Sequence, residues 1–375
     1  MTKKKILTVV GTRPEIIRLS SIIKKLDNHF DHHLVHTNQN YDYHLKDIFL
    51  KELQIKPRYI FETIAQNPIE NISKIIVKVD QLIKKIKPDG FLILGDTNSS
   101  LSAISAKKNK IPIFHIEAGN RCFNDVVPEE VNRKIVDHIS DINLTYSNFA
   151  RNNLLNEGLK SDRIFKIGSP LFEVINDNKS KMKINYYLKK NKLKKNHFIL
   201  LSFHREENIE NIKNISNFIK ILENLNKEYK CPILVSTHPR LKKKLLNNKI
   251  IKSKSILFHE PFGYFEYMSL QLSAKIIISD SGSITEEASI LNLPAISLRE
   301  DIERQEGMDE GIVLLSKVNF KDLKECIDIL LKTRTKTFPN SLKEYEVKNV
   351  SNKVVRIIQS YISFIKRNTW KTNLD

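Results

Sequence analysis

Glycine and cysteine are scarce in this sequence, and their placement excludes several kinds of site. Only 10 of the 375 residues are glycine, and no two glycines are separated by a single residue, so there is no GxGxxG dinucleotide-binding loop. No Walker-type phosphate loop of the GxxxxGKS or GxxxxGKT kind is present either. The three cysteines, Cys122, Cys231 and Cys326, are isolated, which argues against a disulfide framework and a cysteine-based zinc site. We therefore expect no NAD, ATP or metal cofactor.

Long apolar runs are absent as well. No stretch approaches the roughly 18 apolar residues that a transmembrane helix needs. The chain begins with lysines, but Gly11 interrupts the short apolar run that follows them, so we expect no signal peptide. These features predict a cytoplasmic protein without membrane insertion.

The chain is strongly basic. It has 62 Lys and Arg against 43 Asp and Glu, a formal net charge of +19. Such a charge could favour nucleic acid, but the lysine clusters lack interleaved arginines, RNA-binding aromatic motifs and a zinc-finger pattern. An anionic small substrate fits the charge equally well. We expect no nucleic-acid partner.

Apolar runs of strand length alternate with segments of helical period throughout the chain. This rhythm predicts an α/β fold with two Rossmann-like, doubly wound parallel sheets. The predicted strands are 5–10, 33–37, 90–94, 111–116, 142–145, 198–202, 233–236, 256–258, 275–279 and 294–298. The predicted helices include 14–26, 99–108, 128–139, 209–226 and 350–365. The domains are predicted as 1–168 and 169–350, with 351–375 forming a helix that packs back on the first domain.

Polar clusters follow the predicted strands, where parallel α/β sheets bind ligands. Two such sheets facing each other would form an interdomain cleft. The turn Ser281, Gly282 and Ser283 lies between a strand and a helix, and free N–H groups at a helix start attract phosphate. Ser283 and Glu286 have the spacing of a capping box. Glu287 is placed to accept ribose hydroxyls.

Charged side chains recur at other strand ends. Arginines pair well with phosphate, and carboxylates near strand ends suit proton transfer. The basic candidates are Arg13, Arg18, Arg299 and Arg304; the acidic ones are Asp96, Glu117, Glu129 and Glu130; and the histidines are His204 and His238. A further histidine cluster, His29, His32 and His33, is expected on the surface. Metal binding by His204 or His238 is less favoured than acid–base work or phosphate contact, because no HExxH pattern is present.

Several of these segments together resemble the non-hydrolysing UDP-N-acetylglucosamine 2-epimerase family. The matching stretches are 10–15, 95–97, 115–119, 128–133, 204–208, 237–239, 280–282 and 286–287, in family order. The resemblance implies a GT-B-like pair of domains around a UDP-sugar, usually in a homodimer. It implies inversion at C2 without NAD or metal, by elimination of UDP to a 2-acetamidoglycal and re-addition.

The resemblance also assigns roles by motif. It implies that Asp96, Glu117, Glu129 and His204 are catalytic. The implied UDP-binding residues are Arg13, Arg18, Arg133, His238, Phe262, Ser281, Gly282, Ser283, Glu287 and Arg299. It leaves open which carboxylate serves which face of the sugar.

The segments 119–123 and 133–139 resemble one branch in particular, the UDP-N-acetyl-L-fucosamine synthases of capsule and O-antigen (lipopolysaccharide) biosynthesis. Its members epimerise C2 of UDP-2-acetamido-2,6-dideoxy-L-talose. Asn120, Cys122 and Val127 depart from the commoner family pattern near the sugar. Two alternatives stay open: conversion of UDP-N-acetylglucosamine to UDP-N-acetylmannosamine, and a GT-B glycosyltransferase that uses the same nucleotide site.

Overall fold

The protein, here a computed structural model, is described over residues 3–38, 43–183, 186–203, 212–237, 253–299, 301–333 and 342–371. It divides into two compact units. The first comprises 1–177 together with 343–375, and the second comprises 178–342. The boundaries expected from the sequence, after 168 and after 350, lie nine residues before and eight residues after these. The first boundary between the units lies after residue 177 because residues 170–177 form a helix that packs on the first unit.

The first unit is built from seven strands and their connecting helices over its described residues. The strands are β1 (Lys5–Val10), β2 (Asp31–His36), β3 (Tyr59–Ile60), β4 (Gly90–Leu94), β5 (Ile113–Ile116), β6 (Ile142–Thr145) and β7 (Ile164–Lys166). The helices are α1 (Arg13–His29), α2 (Tyr43–Leu53), α3 (Pro68–Ile86), α4 (Ala103–Lys108), α5 (Pro128–Ile139), α6 (Asn148–Asn156) and α7 (Pro170–Asp177). A short 3-10 turn, Asn98–Ser102, precedes α4.

The second unit repeats the alternation. Its described strands are β8 (Ile199–Phe203), β9 (Ile233–Thr237), β10 (Ile256–His259), β11 (Ile276–Ser279), β12 (Ala295–Ser297) and β13 (Val313–Leu315). Its described helices are α8 (Tyr186–Lys190), α9 (Ile212–Tyr229), α10 (Tyr264–Ser273), α11 (Ile284–Leu291), α12 (Gln305–Asp309) and α13 (Phe320–Thr333).

Both sheets are parallel and doubly wound, which confirms the predicted fold class. The first has the order β3-β2-β1-β4-β5-β6-β7, and the second has the order β10-β9-β8-β11-β12-β13. The order reverses direction beside the first strand of each sheet, between β1 and β4 and between β8 and β11. Crevices at such reversal points, outside the carboxyl ends of the strands, are where open α/β sheets bind ligands.

The strands are apolar on both faces because helices cover both sides of each sheet. In β1 every residue after Lys5 is buried, and β4 and β8 are buried throughout. Burial of one Val, Leu or Ile side chain contributes about 1.5–3 kcal/mol. Each sheet thus forms the centre of its own core, which holds the strand ends in place.

The final helix, α14 (Val350–Asn368), belongs to the first unit, where it packs against α1 and α7. Val354, Ile358, Ile362 and Ile365 are buried along one stripe, as a 3.6-residue period requires. Over the described part of the chain, none of the helices combines the length and apolar character needed to cross a membrane.

Sequence analysis did not predict several short strands, and it assigned two buried histidines to the surface. The strands β3, β7 and β13 have only two or three residues each, too few to show a period. The surface assignment of His32 and His33 is wrong. Both lie buried in β2, where the ring of His32 contacts the Thr8 hydroxyl at 2.8 Å and that of His33 stacks on Tyr59.

Candidate functional site

The first unit brings three polar segments to the carboxyl edge of its sheet at the reversal point. Gly11 follows β1, Asp96 follows β4, and Glu117 follows β5 directly. The strands β1 and β4 are paired, as are β4 and β5, so these segments are neighbours. The placement matches the sequence-based expectation that polar groups gather at the strand ends.

Asp96 is held by an arginine from α5. Nε and Nη2 of Arg133 lie 3.0 and 2.5 Å from Oδ2 of Asp96, and Nη1 lies 2.7 Å from Oε2 of Glu130. The Asp96 side chain stays 22% exposed, whereas those of Arg133 and Glu130 are buried. Asp96 is therefore an oriented carboxylate that solvent or a ligand can still reach.

Arg13 and Arg18 project from the first two turns of α1. Nε of Arg18 lies 3.6 Å from Oε2 of Glu117, and the hydroxyl of Tyr146 donates to the same oxygen at 3.2 Å. Glu117 has a left-handed backbone, with φ of 68°, which turns its side chain away from the strand direction. The guanidinium of Arg13 lies 5.4 Å from the ring centre of Phe49.

The paired glutamates at the start of α5 have different environments. Glu130 is buried and accepts from the backbone N–H groups of Cys122 and Phe123, both at 3.1 Å. Burial raises the pKa of Glu130, but these N–H groups and Arg133 outweigh it and hold the pKa below its usual range. Glu129 is exposed and has no hydrogen bond or ion pair within the described residues. Of the two, Glu129 is the carboxylate available to a ligand.

Glu15 ties the turn after β1 to the turn after β4. Its Oε2 accepts from the N–H groups of Gly11 and Thr12 at 2.9 and 2.6 Å, and its Oε1 accepts from the Thr97 hydroxyl at 3.0 Å. Glu15 is fully buried, and burial raises its pKa to about 7 although these donors oppose the shift. It forms a capping box with Thr12 at the start of α1.

In the second unit, the turn between β11 and α11 presents hydroxyl groups around a buried carboxylate. Oγ of Ser281 lies 3.0 Å from Oγ of Ser283, which donates to Oε1 of Glu287 at 2.8 Å. Nε2 of Gln271 donates to the other oxygen of Glu287 at 2.6 Å. The predicted capping box is therefore wrong: Ser283 bonds to Glu287, one position beyond Glu286.

The same turn is lined by two arginines. Arg299 pairs with Glu303 beside Gly282, and a Cβ added to Gly282 would lie 2.6 Å from Nη1 of Arg299. Arg304 is buried; its Nη2 lies 2.9 Å from Oε2 of Glu286, and its Nη1 donates to the Gly282 carbonyl at 3.2 Å. A side chain at position 282 would displace the ends of the Arg299 and Glu303 side chains. Arg304 supports the turn, and Arg299 lies next to it.

Phe262 lies in an aromatic cluster at the end of β10. Its ring stacks on His259 with centres 3.9 Å apart, and Tyr187 approaches edge-on at 4.9 Å. Phe262 is buried, while His259 and Tyr187 are half-buried. The predicted uracil-packing position is thus part of a three-ring group.

His204 and His238, predicted from the sequence as site residues, lie outside the described residues. Within the described ranges, no group of three or more His, Cys, Asp or Glu side chains is arranged to hold a metal ion. The chemistry available there consists of carboxylates, guanidinium groups, hydroxyls and backbone N–H groups.

Comparison with known proteins agrees with the fold and the motifs. A family model described as UDP-N-acetylglucosamine 2-epimerase matches residues 24–359. The chain belongs to the UDP-N-acetylglucosamine 2-epimerase family. It is therefore an enzyme of a non-hydrolysing isomerase family, as its motifs predicted.

Individual family members cover nearly the whole chain. A UDP-N-acetylglucosamine 2-epimerase structure from Rickettsia bellii is 43% identical, with a TM-score of 0.91, over 99% of this chain and 100% of that one. A Methanocaldococcus jannaschii UDP-GlcNAc 2-epimerase structure, in complex with UDP-GlcNAc and UDP, is 34% identical with a TM-score of 0.84. It covers 95% of this chain and 99% of that one. These neighbours confirm the GT-B-like fold of this epimerase.

One family relative carries a different substrate in its name. It is the UDP-2,3-diacetamido-2,3-dideoxy-D-glucuronate 2-epimerase of Pseudomonas aeruginosa, 30% identical over 80% of this chain and 84% of its own length. Family membership therefore identifies the reaction type but leaves the sugar of this epimerase to be assigned.

Sequence reasoning missed the buried polar residues that support the site of this epimerase. They are Asp137 and Arg121 in the first unit and Gln271 in the second, where the partly buried Glu303 was missed as well. For Asp137 a signal existed: Glu130, Arg133 and Asp137 follow the helical period on the face of α5 where apolar residues are expected. Charged residues on that face indicate a buried polar network.

Proposed function

We propose that this protein inverts C2 of a UDP-2-acetamido sugar without NAD or a metal. The observation that carries the proposal is the pair of carboxylates at adjacent strand ends, Asp96 and Glu117, each contacted by its own arginine. Nucleotide binding alone would not require two such carboxylates, since phosphates repel them. Acid–base catalysis does require them.

The reaction has two steps. A base removes the proton from C2 while the bond from C1 to the β-phosphate oxygen breaks, UDP leaves with the electron pair, and a double bond forms between C1 and C2. The oxygen of UDP then attacks C1 while an acid returns a proton to C2 on the opposite face. We assign the proton transfers to Asp96, Glu117 and the exposed Glu129, with His204 assigned from its motif.

We assign UDP binding to the turn between β11 and α11 of the second unit. Ser281, Gly282 and Ser283 offer hydroxyls and N–H groups for the diphosphate. Glu287 would accept from the ribose hydroxyls, and the Phe262 cluster would contact uracil. Further assigned UDP contacts are Arg13, Arg18, Arg133, His238 and Arg299. The Methanocaldococcus jannaschii relative, whose structure is titled as a complex with UDP-GlcNAc and UDP, supports this class of ligand.

For the sugar, we propose UDP-2-acetamido-2,6-dideoxy-L-talose, epimerised to UDP-N-acetyl-L-fucosamine for surface polysaccharide synthesis. The support is the sequence of 119–123 and 133–139, which form the loop after β5 and the end of α5. In that loop Sγ of Cys122 lies 3.3 Å from Oε2 of Glu130. Cys122 and Val127, both partly buried, provide a less polar lining that suits a methyl group at C6. The names of the relatives favour UDP-N-acetylglucosamine as the second candidate.

Proton NMR in deuterated water, without added NAD, metal or acceptor, tests the proposal. Parallel samples contain UDP-N-acetyl-L-fucosamine, which probes the reverse reaction, and UDP-N-acetylglucosamine. Deuterium at C2 of the L-fuco compound alone, with a new talo isomer, is the expected result. Exchange in the gluco compound alone would establish the second candidate. Exchange in neither would overturn both proposed sugars and favour either another UDP-sugar or a transferase that needs an acceptor.

Two variants test the roles of the carboxylates. Asp96→Asn and Glu117→Gln should each reduce C2 exchange at least about 100-fold, the usual range for a lost acid or base. The rise in melting temperature with UDP should persist, because the assigned UDP contacts remain. Asp162→Asn, at an exposed surface position of the same unit, is the matched control. If UDP affinity and the rate of C2 exchange fell by the same factor in these variants, the catalytic roles would be contradicted.

A further inference from the structure

A buried group of titratable side chains in the first unit has no part in the proposed chemistry. His115, Asp137 and Arg121 have exposed fractions of 0%, 0% and 3%. His115 lies on β5 two residues before Glu117, Asp137 lies on α5 one turn after Arg133, and Arg121 lies in the loop between them. We call these three residues the buried charge cluster.

His115 links this cluster to the turn that carries Asp96. Its Nε2 lies 2.9 Å from the carbonyl oxygen of Gly95, and its Nδ1 lies 2.8 Å from Oδ1 of Asp137. A carbonyl oxygen only accepts hydrogen bonds, so Nε2 carries a proton and donates. The residue that follows the bonded carbonyl is Asp96 itself.

Asp137 links the cluster to the turn that carries Glu117. The N–H of Gly119, two residues after Glu117, points to both oxygens of Asp137 at 3.3 and 3.2 Å. Nη1 of Arg121 lies 2.7 Å from Oδ2 of Asp137. Burial would raise the pKa of Asp137, but His115 and Arg121 outweigh it and hold the pKa below its usual range.

Arg121 extends the cluster to α6. Its Nε and Nη2 donate to the two oxygens of Glu157 at 2.6 and 2.7 Å, a two-point contact that fixes the guanidinium plane. Gly119 also packs against α6, since an added Cβ would lie 2.1 Å from the Ala150 carbonyl oxygen. The turn after β5 is thereby held from the side of α5 and from the side of α6.

Buried ion clusters of this kind add little net stability, because desolvation of the charges offsets their attraction. Stability alone therefore does not account for these three titratable residues in the first unit's interior. The location of these residues does account for their presence, because the cluster hydrogen-bonds to the residue before Asp96 and to the turn just after Glu117. The two turns are irregular, with left-handed backbones at Gly95 and Gly119.

We propose that His115 and Asp137 are positioning residues, which set the separation and orientation of Asp96 and Glu117 through these two turns. The inference rests on the proposed function, since it gives the two carboxylates a shared reaction. Small displacements of catalytic groups are costly: about 1 Å of misplacement can lower a rate about 100-fold.

The test compares His115→Gln and Asp137→Asn with Asp141→Asn, a matched control in the same unit. Asp141 is also buried and ion-paired, with Oδ1 2.7 Å from Nζ of Lys107, but it bonds to the N–H of Ile113 at the opposite edge of the sheet. We expect all three variants to melt at lower temperature. We expect only His115→Gln and Asp137→Asn to lower kcat tenfold or more per folded molecule, with KM and the UDP-induced shift in melting temperature changed less than twofold.

Equal kcat values for His115→Gln, Asp137→Asn and Asp141→Asn would overturn the positioning role. So would a loss that falls on KM alone. If Asp137→Asn fails to fold, Arg121→Lys provides the second variant, because it keeps the charge but loses the two-point contact with Glu157. Failure of the proposed function is separable, since it would appear as a wild-type enzyme without C2 exchange on either UDP-sugar.

Discussion

Arg133 donates to Asp96 from two nitrogens, Nε at 3.0 Å and Nη2 at 2.5 Å, and both bonds end on the same carboxylate oxygen, Oδ2. Because Nη1 of Arg133 also donates to the buried Glu130, the guanidinium is fixed at both ends. Arg133 therefore orients the carboxylate to which we assign proton transfer.

Replacement of Arg133 tests this orientation. Arg133→Lys keeps the charge but cannot supply three donors in one plane, so we expect kcat for C2 exchange to fall about 10- to 100-fold. Steady-state kinetics and a melting curve measure the effect. Arg58→Lys, at an exposed pair with Asp31, is the control and should leave both unchanged. A normal kcat in Arg133→Lys would contradict the orienting role.

Glu287 provides a test of nucleotide binding. Its carboxylate is oriented by Ser283 and Gln271, and hydrogen bonds to a charged group contribute about 1.5–3 kcal/mol. We therefore expect Glu287→Gln to weaken UDP binding about tenfold or more, as measured by calorimetry. Glu310→Gln, at an exposed position in the same unit, should bind UDP normally. Equal UDP affinities of the two variants would contradict the assignment of Glu287 to ribose binding.

Gly282 tests the close packing of the turn between β11 and α11. In Gly282→Ala the new Cβ would meet Arg299 and Glu303 at 2.6 Å, so the Arg299 pair must move. We expect weaker UDP binding. In contrast, Gly158→Ala meets nothing within 4 Å but has an unfavourable φ of 84°, so it should cost about 1 kcal/mol of stability with UDP binding intact. Unchanged UDP affinity in Gly282→Ala would contradict this prediction.

Glu15 predicts a pH dependence of stability. Its pKa is about 7 in the folded protein and near 4.5 in the unfolded chain. Below pH 4.5 the carboxyl is protonated in both states, and as the pH rises towards 7 the unfolded state releases its proton first. Stability due to Glu15 is therefore present at low pH and declines between about pH 4.5 and 7, by up to about 3 kcal/mol.

Urea unfolding at several pH values measures this effect. The quantity compared is the free energy of unfolding of the wild type minus that of Glu15→Gln. The wild-type free energy of unfolding should fall relative to that of the variant between pH 5 and pH 8. The exposed Glu62→Gln serves as control and should show a constant difference from the wild type. A rise of the wild type relative to Glu15→Gln over the same range would show that the carboxylate, rather than the carboxyl, is the favoured buried form.

Much of the candidate site follows from local pattern. The turns after β1, β4, β5 and β11 combine a strand, a short polar turn and a helix start, and each of these is encoded within about ten residues. Parallel strands then necessarily bring their carboxyl ends to one edge. For this reason Asp96, Glu117 and the Ser281–Ser283 turn could be predicted as site residues, and the family resemblance could assign them to a UDP-sugar epimerase.

Partner choice among charged side chains could not be predicted in this way. The sequence offers Glu129 and Glu130 side by side, and Ser283 with both Glu286 and Glu287 in reach. Helix rotation and burial decide that Glu130 and Glu286 face inward to Arg133 and Arg304, which leaves Glu129 exposed. One residue of displacement along a helix turns a side chain by about 100°, so Glu129 and Glu130 have opposite environments.

The sequence by itself determined the two doubly wound sheets, the polar strand ends and the reaction class, because periodicity and short motifs are local properties. Only the tertiary structure decided which charged groups pair, that His32 and His33 are buried, and that His115 and Asp137 join the turns of Asp96 and Glu117. Of these contacts, those of Gly119 with Asp137, Asp96 with Arg133 and Arg18 with Glu117 connect residues 18, 37 and 99 positions apart in the chain. Their geometry depends on how the helices pack on the sheet, which no local pattern records.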